Sequence, residues 1–299
     1  MTHLLDKAID QQVWLIDSSI YIFRAWFARQ PTQLDNAGQA IHAVKGFLQW
    51  LYSFLYSQTP HYLGFAFDTS LQSSVRKTLY PAYKANRPPA PDELKYQFQL
   101  CREFVEALGL VQTSSLHYEA DDIIGTWAQH YQQQNKQIII VSGDKDLTQL
   151  IRERDVWWDY GRRSALNAGG IKSSLGVWPE QIVDQLAIAG DKVDNIPGVP
   201  GVGMSTAAKL LRRFGTLDKM LEHIETIGSM QLHGAKRLQK LIEQHQDTIH
   251  LARQLTKIHR AVPAIPLALH RHTKKPEQLK NLCEQLGLNE QQYNNWLKL

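Results

Sequence analysis

Nine carboxylates of this 299-residue chain fall in a pattern that invites chemistry: Asp17, Asp68, Glu119 with Asp121 and Asp122, Asp144 with Asp146, and Asp191 with Asp194. Each group has a local explanation. Glu119, Asp121 and Asp122 open a stretch of helical spacing, where the helix dipole favours an anion by about 0.3–1 kcal/mol. Asp144 is a suitable helix cap, and Asp191 and Asp194 share a face if their turn is helical. Brought together, they act differently. Like charges about 4 Å apart repel by roughly 4 kcal/mol at an effective dielectric near 20, so a shared pocket stays protonated or recruits cations. Oxygen donors with no His or Cys among them favour magnesium or manganese over zinc. Two such ions about 3.5–4 Å apart clamp the attacking and leaving oxygens of a phosphodiester during in-line displacement. That chemistry needs no side-chain nucleophile, and the chain has no G-x-S-x-G, no G-x-x-x-x-G-K-[ST] and no G-x-G-x-x-G.

The elements that would gather these acids are legible as short apolar runs. Val13 to Ile16 ends at Asp17, Tyr62 to Phe67 ends at Asp68, and Ile138 to Val141 leads into Ser142, Gly143 and Asp144. Unbroken Ile, Val, Leu and Phe runs read as strands buried on both faces, the habit of a parallel sheet covered by helices. Val44, Phe47, Leu48, Leu51 and Leu55 recur at helical spacing, as do Ile123, Ile124, Trp127 and Tyr131. The expectation is an α/β fold with a mainly parallel sheet, whose ligands bind beyond the carboxyl ends of the strands. From about Trp178 to Arg260 the periodicity is helical, interrupted by the turn Asp194 to Gly203, DNIPGVPGVG. Its glycines leave backbone N–H groups free to approach an anion. After a polar connector, His270 to Lys275, the residues Leu279, Leu282, Leu286, Tyr293 and Trp296 suggest helices returning to the first unit.

Charge narrows the partner. The chain carries 33 Lys and Arg against 29 Asp and Glu, and setting the nine acids aside leaves 20 acids against those 33 bases. A surface of about +13 around an acidic pit is a nucleic-acid-binding surface. The bases concentrate from Ser70 to Pro91 (Arg76, Lys77, Lys84, Arg87, with no acid) and from Pro200 to Arg260, ten against five. Two cysteines, Cys101 and Cys283, fit a reducing compartment without a disulfide. The N-terminal MTHLLDKAID lacks a secretory layout, so the expectation is a cytoplasmic monomer. Gly46 to Phe67 has no charged residue, but Gln49, Gln58, Pro60 and His61 interrupt it, and it reads as a helix and a strand rather than a membrane span.

The motifs LIDSSIYIFRAWFA, FAFD, R-x6-Y-K-x2-R-P-P (Arg76 to Pro89), EADDIIGTWA, VSGDKDLTQLI and AGDKVDNIPGVPGVGMSTAAKLL occur in this order. In them the chain resembles the 5′ nuclease superfamily, most closely the N-terminal 5′-3′ exonuclease domain of bacterial DNA polymerase I, with flap endonucleases as more distant relatives. The resemblance implies a PIN-like or resolvase-like sheet domain over residues 1–177 and a helical DNA-binding domain over 178–299. Residues 70–115 would form a helical arch over a single-stranded 5′ end. It implies that Asp17, Asp68, Glu119 and Asp121 surround one metal ion and that Asp144, Asp146, Asp191 and Asp194 hold another. Asp144 is able to bridge both, with Asp122 nearby through water. Lys84 and Arg87 would reach over the scissile phosphate, Tyr83 would stack on a terminal base, and Arg24 and Arg76 would contact phosphates. Gly198, Gly201 and Gly203 would belong to a helix-three-turn-helix that grips duplex phosphates and binds potassium, extended by Lys209, Arg212 and Arg213.

The implied activity is metal-dependent, structure-specific hydrolysis of DNA near a single-strand to duplex junction, at 5′ flaps, nicks or 5′ ends. Because the sequence ends at Leu299 without a polymerase, a separate DNA polymerase is the expected partner. Two other readings remain: a catalytically idle junction binder, and a PIN-type ribonuclease.

Overall fold

The computed structural model describes residues 4–5, 9–28, 33–69 and 73–299. Its centre is a five-stranded sheet of β1 (Gln12–Asp17), β2 (Tyr62–Phe67), β3 (Val111–Ser114), β4 (Gln137–Val141) and β5 (Val156–Trp158). The order is β3-β2-β1-β4-β5 and every pairing is parallel. The apolar runs are unbroken because both faces are covered. In β1, Val13 and Leu15 join one core cluster while Trp14 and Ile16 join the other. In β4, Ile138 and Ile140 divide from Ile139 and Val141 in the same way. The period of two along a strand sends alternate side chains to opposite faces, so a strand between two helical layers has no polar side.

One layer holds α1 (Ser18–Trp26), α2 (His42–Gln58) and α4 (Asp92–Ala107), and the short α3 (Val75–Leu79) lies outside it. The other is led by α5 (Ala120–Gln132), which packs on β1, β2 and β4. The uncharged stretch 46–67 resolves into α2 and β2, and among the described residues no helix is long and apolar enough to cross a membrane. The span 70–115 needs correction as a single arch. Leu94, Leu100 and Phe104 bury one face of α4, which packs against α2, and residues 111–114 are sheet. Only 73–91 stand apart from these layers, and residues 70–72 lie outside the described residues.

Two strands were not anticipated. β3 is an edge strand whose Gln112, Thr113 and Ser114 are only half buried, so it lacks an apolar run. β5 is three residues long and places Trp157 and Trp158 on opposite faces.

The remaining helices are α6 (Ala168–Leu175), α7 (Ile182–Ala189), α8 (Met204–Phe214), α9 (Leu217–Glu222), α10 (Ala235–Gln244), α11 (Gln246–Thr256), α12 (Pro276–Gln285) and α13 (Glu290–Lys298). The α7 helix contacts α8 and α11, and their buried residues continue the core cluster of β1 and α5. The last two helices return to the sheet domain: α12 contacts α4, and Trp296 meets Phe104 edge-on at 5.0 Å.

Candidate active site

The sheet order reverses at β1, with β2 and β3 on one side and β4 and β5 on the other. A crevice opens beyond the strand ends at such a reversal. The carboxylates arrive there from four directions. Asp17 closes β1, is 6 % exposed, and accepts a hydrogen bond from Ser142 Oγ at 2.7 Å. Asp68 follows β2; its N–H donates to Ser19 Oγ, and its carboxylate accepts from the N–H of Ala120, the first residue of α5. Asp144 follows β4 and is held by its own N–H to Ser142 Oγ, and its carboxylate accepts the N–H of Asp146 at 2.9 Å. Asp191 and Asp194 lie in the turn after α7, which is closed by paired hydrogen bonds between Asp191 and Ile196. The turn is therefore not helical, and a shared helix face does not bring them together.

Their mutual fields show that they converge. Burial, then the charges of Asp68 and Asp144, push the Asp17 carboxyl up to about 7. Burial also raises Asp121 well above the carboxylate range, reinforced by Asp144, Asp17 and Asp68. Asp144 and Asp146 are raised by burial and by the charges of Asp191 and Asp194. Asp17, Asp68, Asp121, Asp144, Asp146, Asp191 and Asp194 thus share one pit.

Two cations enter from residues 73–91. Lys84 Nζ donates to Glu119 Oε2 at 2.6 Å and lies 3.3 Å from Asp194 Oδ2. Burial opposes its charge, but Glu119 and Asp194 overcome this and hold the ammonium well above its ordinary pKa. Its backbone is left-handed, with φ +51°, and its N–H is anchored on the Asp194 carbonyl at 2.9 Å. Arg87 pairs with the carboxylate of Asp194.

Four residues are placed at odds with their expected roles. Asp122 does not face the pit. Its carboxylate takes both terminal nitrogens of Arg76 at 2.7 Å, and also accepts the N–H groups of Glu119 and His259. Arg76 is correspondingly engaged, with further bonds to the carbonyls of Leu255 and Lys257, which leaves it no free donor edge for a phosphate. Tyr83 is 2 % exposed, and its hydroxyl donates toward Glu119 and Asp194, so its ring offers no face to a base. Arg24 makes a two-pronged pair with Asp159, at 2.5 and 3.0 Å. Ser142 and Ser19, which position Asp17, Asp144 and Asp68, were missed by sequence reasoning; the Ser-Gly-Asp run after β4 was the available signal.

Across a cavity of about 630 Å³ from Asp146 and Asp191 lies the start of α8, with Met204, Ser205, Lys209 and Arg212. Lys209, Arg212 and Arg213 are exposed and form no ion pair among the described residues. The three glycines differ. A Cβ on Gly198 would lie 2.3 Å from the backbone of Ala189 and Gly190, so this glycine serves the crossing of two chain segments. Gly201 has φ +79° and Gly203 precedes α8; both face open space.

The donor set suits a hard cation. All the converging donors are carboxylate oxygens, and Glu119 Oε1 is buried without a hydrogen-bond partner, with Arg76 Nη1 3.9 Å away. Among the described residues no three of these side chains are gathered tightly enough to enclose an ion as they stand. The shared field and the orphaned oxygen, rather than a finished cage, mark the place.

The model of a 5′-3′ exonuclease N-terminal resolvase-like domain matches residues 12–176, and that of a 5′-3′ exonuclease C-terminal SAM fold matches 177–280. The chain belongs to the 5′-3′ exonuclease family. A 5′-3′ exonuclease of Buchnera aphidicola is 32% identical over 92% of this chain and 96% of its own length. DNA polymerase I of Rhizobium leguminosarum is 37% identical over 84% of this chain, which spans only 25% of that relative. Among solved structures, a bacteriophage T5 flap endonuclease in a complex with DNA and metal ions superposes with a TM-score of 0.65 at 16% identity, covering 96% of this chain and 97% of the other. The catalytic core of Rad2 in complex with DNA substrate gives 0.63 at 15%, covering 96% and 91%. At such identities the likeness is one of fold, and it supports the α/β sheet domain with its helical companion.

Proposed function

We propose that this chain is a divalent-cation-dependent, structure-specific 5′ nuclease that hydrolyses DNA phosphodiesters near single-strand to duplex junctions. The observation that carries the reading is the convergence of seven aspartates and Glu119 beyond the strand ends, with Lys84 and Arg87 reaching into the same pit. Asp17, Asp68, Glu119, Asp121, Asp144, Asp146, Asp191 and Asp194 would hold magnesium or manganese. Bound there, such ions supply the Lewis-acid charge that in-line phosphoryl displacement requires. Lys84 and Arg87 would turn from Glu119 and Asp194 to the phosphate and stabilise its developing negative charge. Ser142 and Ser19 keep Asp17, Asp144 and Asp68 aimed into the pit.

The reading assigns residues 1–177 to the nuclease unit and 178–299 to duplex binding. Gly201, Gly203 and the start of α8 would present N–H groups to phosphates, with Lys209, Arg212 and Arg213 beside them and potassium held by carbonyls of the turn. The neighbours in complex with DNA and metal ions support this assignment, as does the DNA polymerase I likeness for a role beside a polymerase. The test is Asp144→Asn assayed on 5′-flap, nicked and blunt DNA with magnesium or chelator. Cleavage should be abolished while junction binding stays measurable; retained turnover would sink the metal assignment. Strand-swapped RNA substrates separate this activity from a ribonuclease.

A further inference from the structure

A second and larger cavity, about 1020 Å³, lies elsewhere, where Gln149–Arg152 meets the segment Trp178–Asp184 and the end of α11. It uses a different face of α7: the cavity beside the acids is lined by Ile182 and Leu186, this one by Val183 and Asp184. Its cations are Arg152, Arg253, Lys257 and Arg260. Arg253 is satisfied by Asp184 and Asp218. The other three have no carboxylate in ion-pair range among the described residues. The nearby Asp155 carboxylate is turned inward to the N–H groups of Ile138 and Arg152 and to Gln132.

Arg260 is half buried, donates only to the Gln149 carbonyl, and stands close enough to Arg152 for the two charges to oppose each other. Of the two lining acids, Asp184 is committed to Arg253 and to the N–H of Leu217, which leaves Glu180 alone. Arg152 also feels the Asp155 charge, but three cations facing Glu180 leave the cleft net positive, and an anion would stabilise it. The volume exceeds what one phosphate would fill.

One aromatic ring, that of Trp178, lines the cavity with these cations. Trp178 is 39 % exposed, with Lys172 Nζ 4.1 Å from its ring centre. Tyr118 stacks on His259, between the lining residues Ile258 and Arg260, at 5.0 Å. The foot of α3 touches this segment, where Arg76 donates to the Leu255 and Lys257 carbonyls. Three cations free of ion pairs beside an exposed tryptophan suit single-stranded nucleic acid, with sugar-phosphates on the cations and a base on the ring.

We propose that this cleft is a second single-strand site, which takes the 5′ tail of the substrate after it has passed the segment 73–91 and holds it away from the acidic pit. The inference rests on the nuclease reading, so its test begins with binding in chelator, where no cleavage is needed. A labelled oligothymidylate of about 12 nucleotides should bind, and Trp178→Ala should weaken it about tenfold, the size of one lost base–aromatic contact. The triple variant R152Q/K257Q/R260Q should lower the slope of log affinity against log salt by about two, at roughly 0.7 per phosphate for a single strand. R152E/K257E alters only exposed residues and guards against misfolding of the triple variant.

Unchanged affinity and salt slope in all three variants would overturn the proposal. So would displacement of the strand by thymidine monophosphate at equal nucleotide concentration, which would make the cleft a mononucleotide pocket. In magnesium, the variants should raise KM for long flaps and leave single-nucleotide flaps unaffected; equal effects on both would also overturn it. Failure of the unsubstituted protein to cleave any flap would refute the nuclease reading, while the chelator experiment would still decide the cleft.

Discussion

Arg76→Ala separates a phosphate contact from a structural bolt. The guanidinium links three elements: it leaves α3, grips Asp122 in the first turn of α5 through two bonds of 2.7 Å, and reaches the Leu255 and Lys257 carbonyls at 2.8 and 3.2 Å. Its side chain is 12 % exposed and that of Asp122 is 1 % exposed. Truncation leaves a buried carboxylate with only the N–H groups of Glu119 and His259, and breaking such a pair costs about 3–5 kcal/mol. For a chain of 299 residues that corresponds to a drop of roughly 5–8 °C in Tm. Thermal unfolding in chelator, followed by circular dichroism, measures it without DNA.

Restoring neutrality should recover much of the loss. In R76M/D122N an asparagine oxygen still accepts one of the two N–H groups and no charge is stranded, so the double variant should melt above Arg76→Ala. Asp122→Asn alone should leave divalent-ion affinity nearly intact, unlike Asp144→Asn. An Arg76→Ala protein that melts within about 1 °C of the parent, yet binds DNA poorly with a reduced salt slope, would refute the bolt and return Arg76 to the phosphates.

The acidic pit predicts a pH dependence with a definite sign. The folded-state pKa of Asp17, about 7, lies above its ordinary 3.8, so folding favours the protonated form. That contribution is complete below pH 3.8 and is lost as pH rises through 7, so stability in chelator should fall from pH 5 to 8 and recover with magnesium. Asp17→Asn should stabilise the chelated protein at pH 8 by up to about 4 kcal/mol, and a destabilised variant would contradict this. Gly198→Ala should destabilise by about 1–3 kcal/mol through overpacking, read by urea unfolding, while Gly201→Ala should cost about 1 kcal/mol from its positive φ alone. K209Q/R212Q/R213Q should reduce the salt slope of duplex binding by about three; an unchanged slope removes α8 from the duplex path.

Sequence alone exposed the scaffold of the site because its logic is local. Asp17, Asp68 and Asp144 each come at or just after a run apolar enough to be a strand, and parallel strands deliver the residues at their carboxyl ends to one edge. The faces of single residues were less accessible. Asp121 and Asp122 are neighbours in one helical turn, and a step of about 100° separates a residue in the pit from one against Arg76. The deciding partner lies 46 residues upstream. Tyr83 beside two basic residues looks like a platform for a base, and only the position of Glu119 and Asp194 turns its hydroxyl inward. β3 and β5 were hidden by brevity: four residues at a half-polar edge and three around a tryptophan pair leave no period to read.

Lys84 gives the site its own placeholder ion. Its ammonium stands between Glu119 and Asp194, tethered to a left-handed backbone residue that leans on the Asp194 carbonyl. On the proposed chemistry, Glu119 and Asp194 would serve either this ammonium or a divalent cation, so Lys84 would be freed for the phosphate when the carboxylates are otherwise engaged, and the two occupancies would be linked. Such a lysine would offset part of the pit's negative charge while metal is scarce, and the site would wake only when both guests arrive.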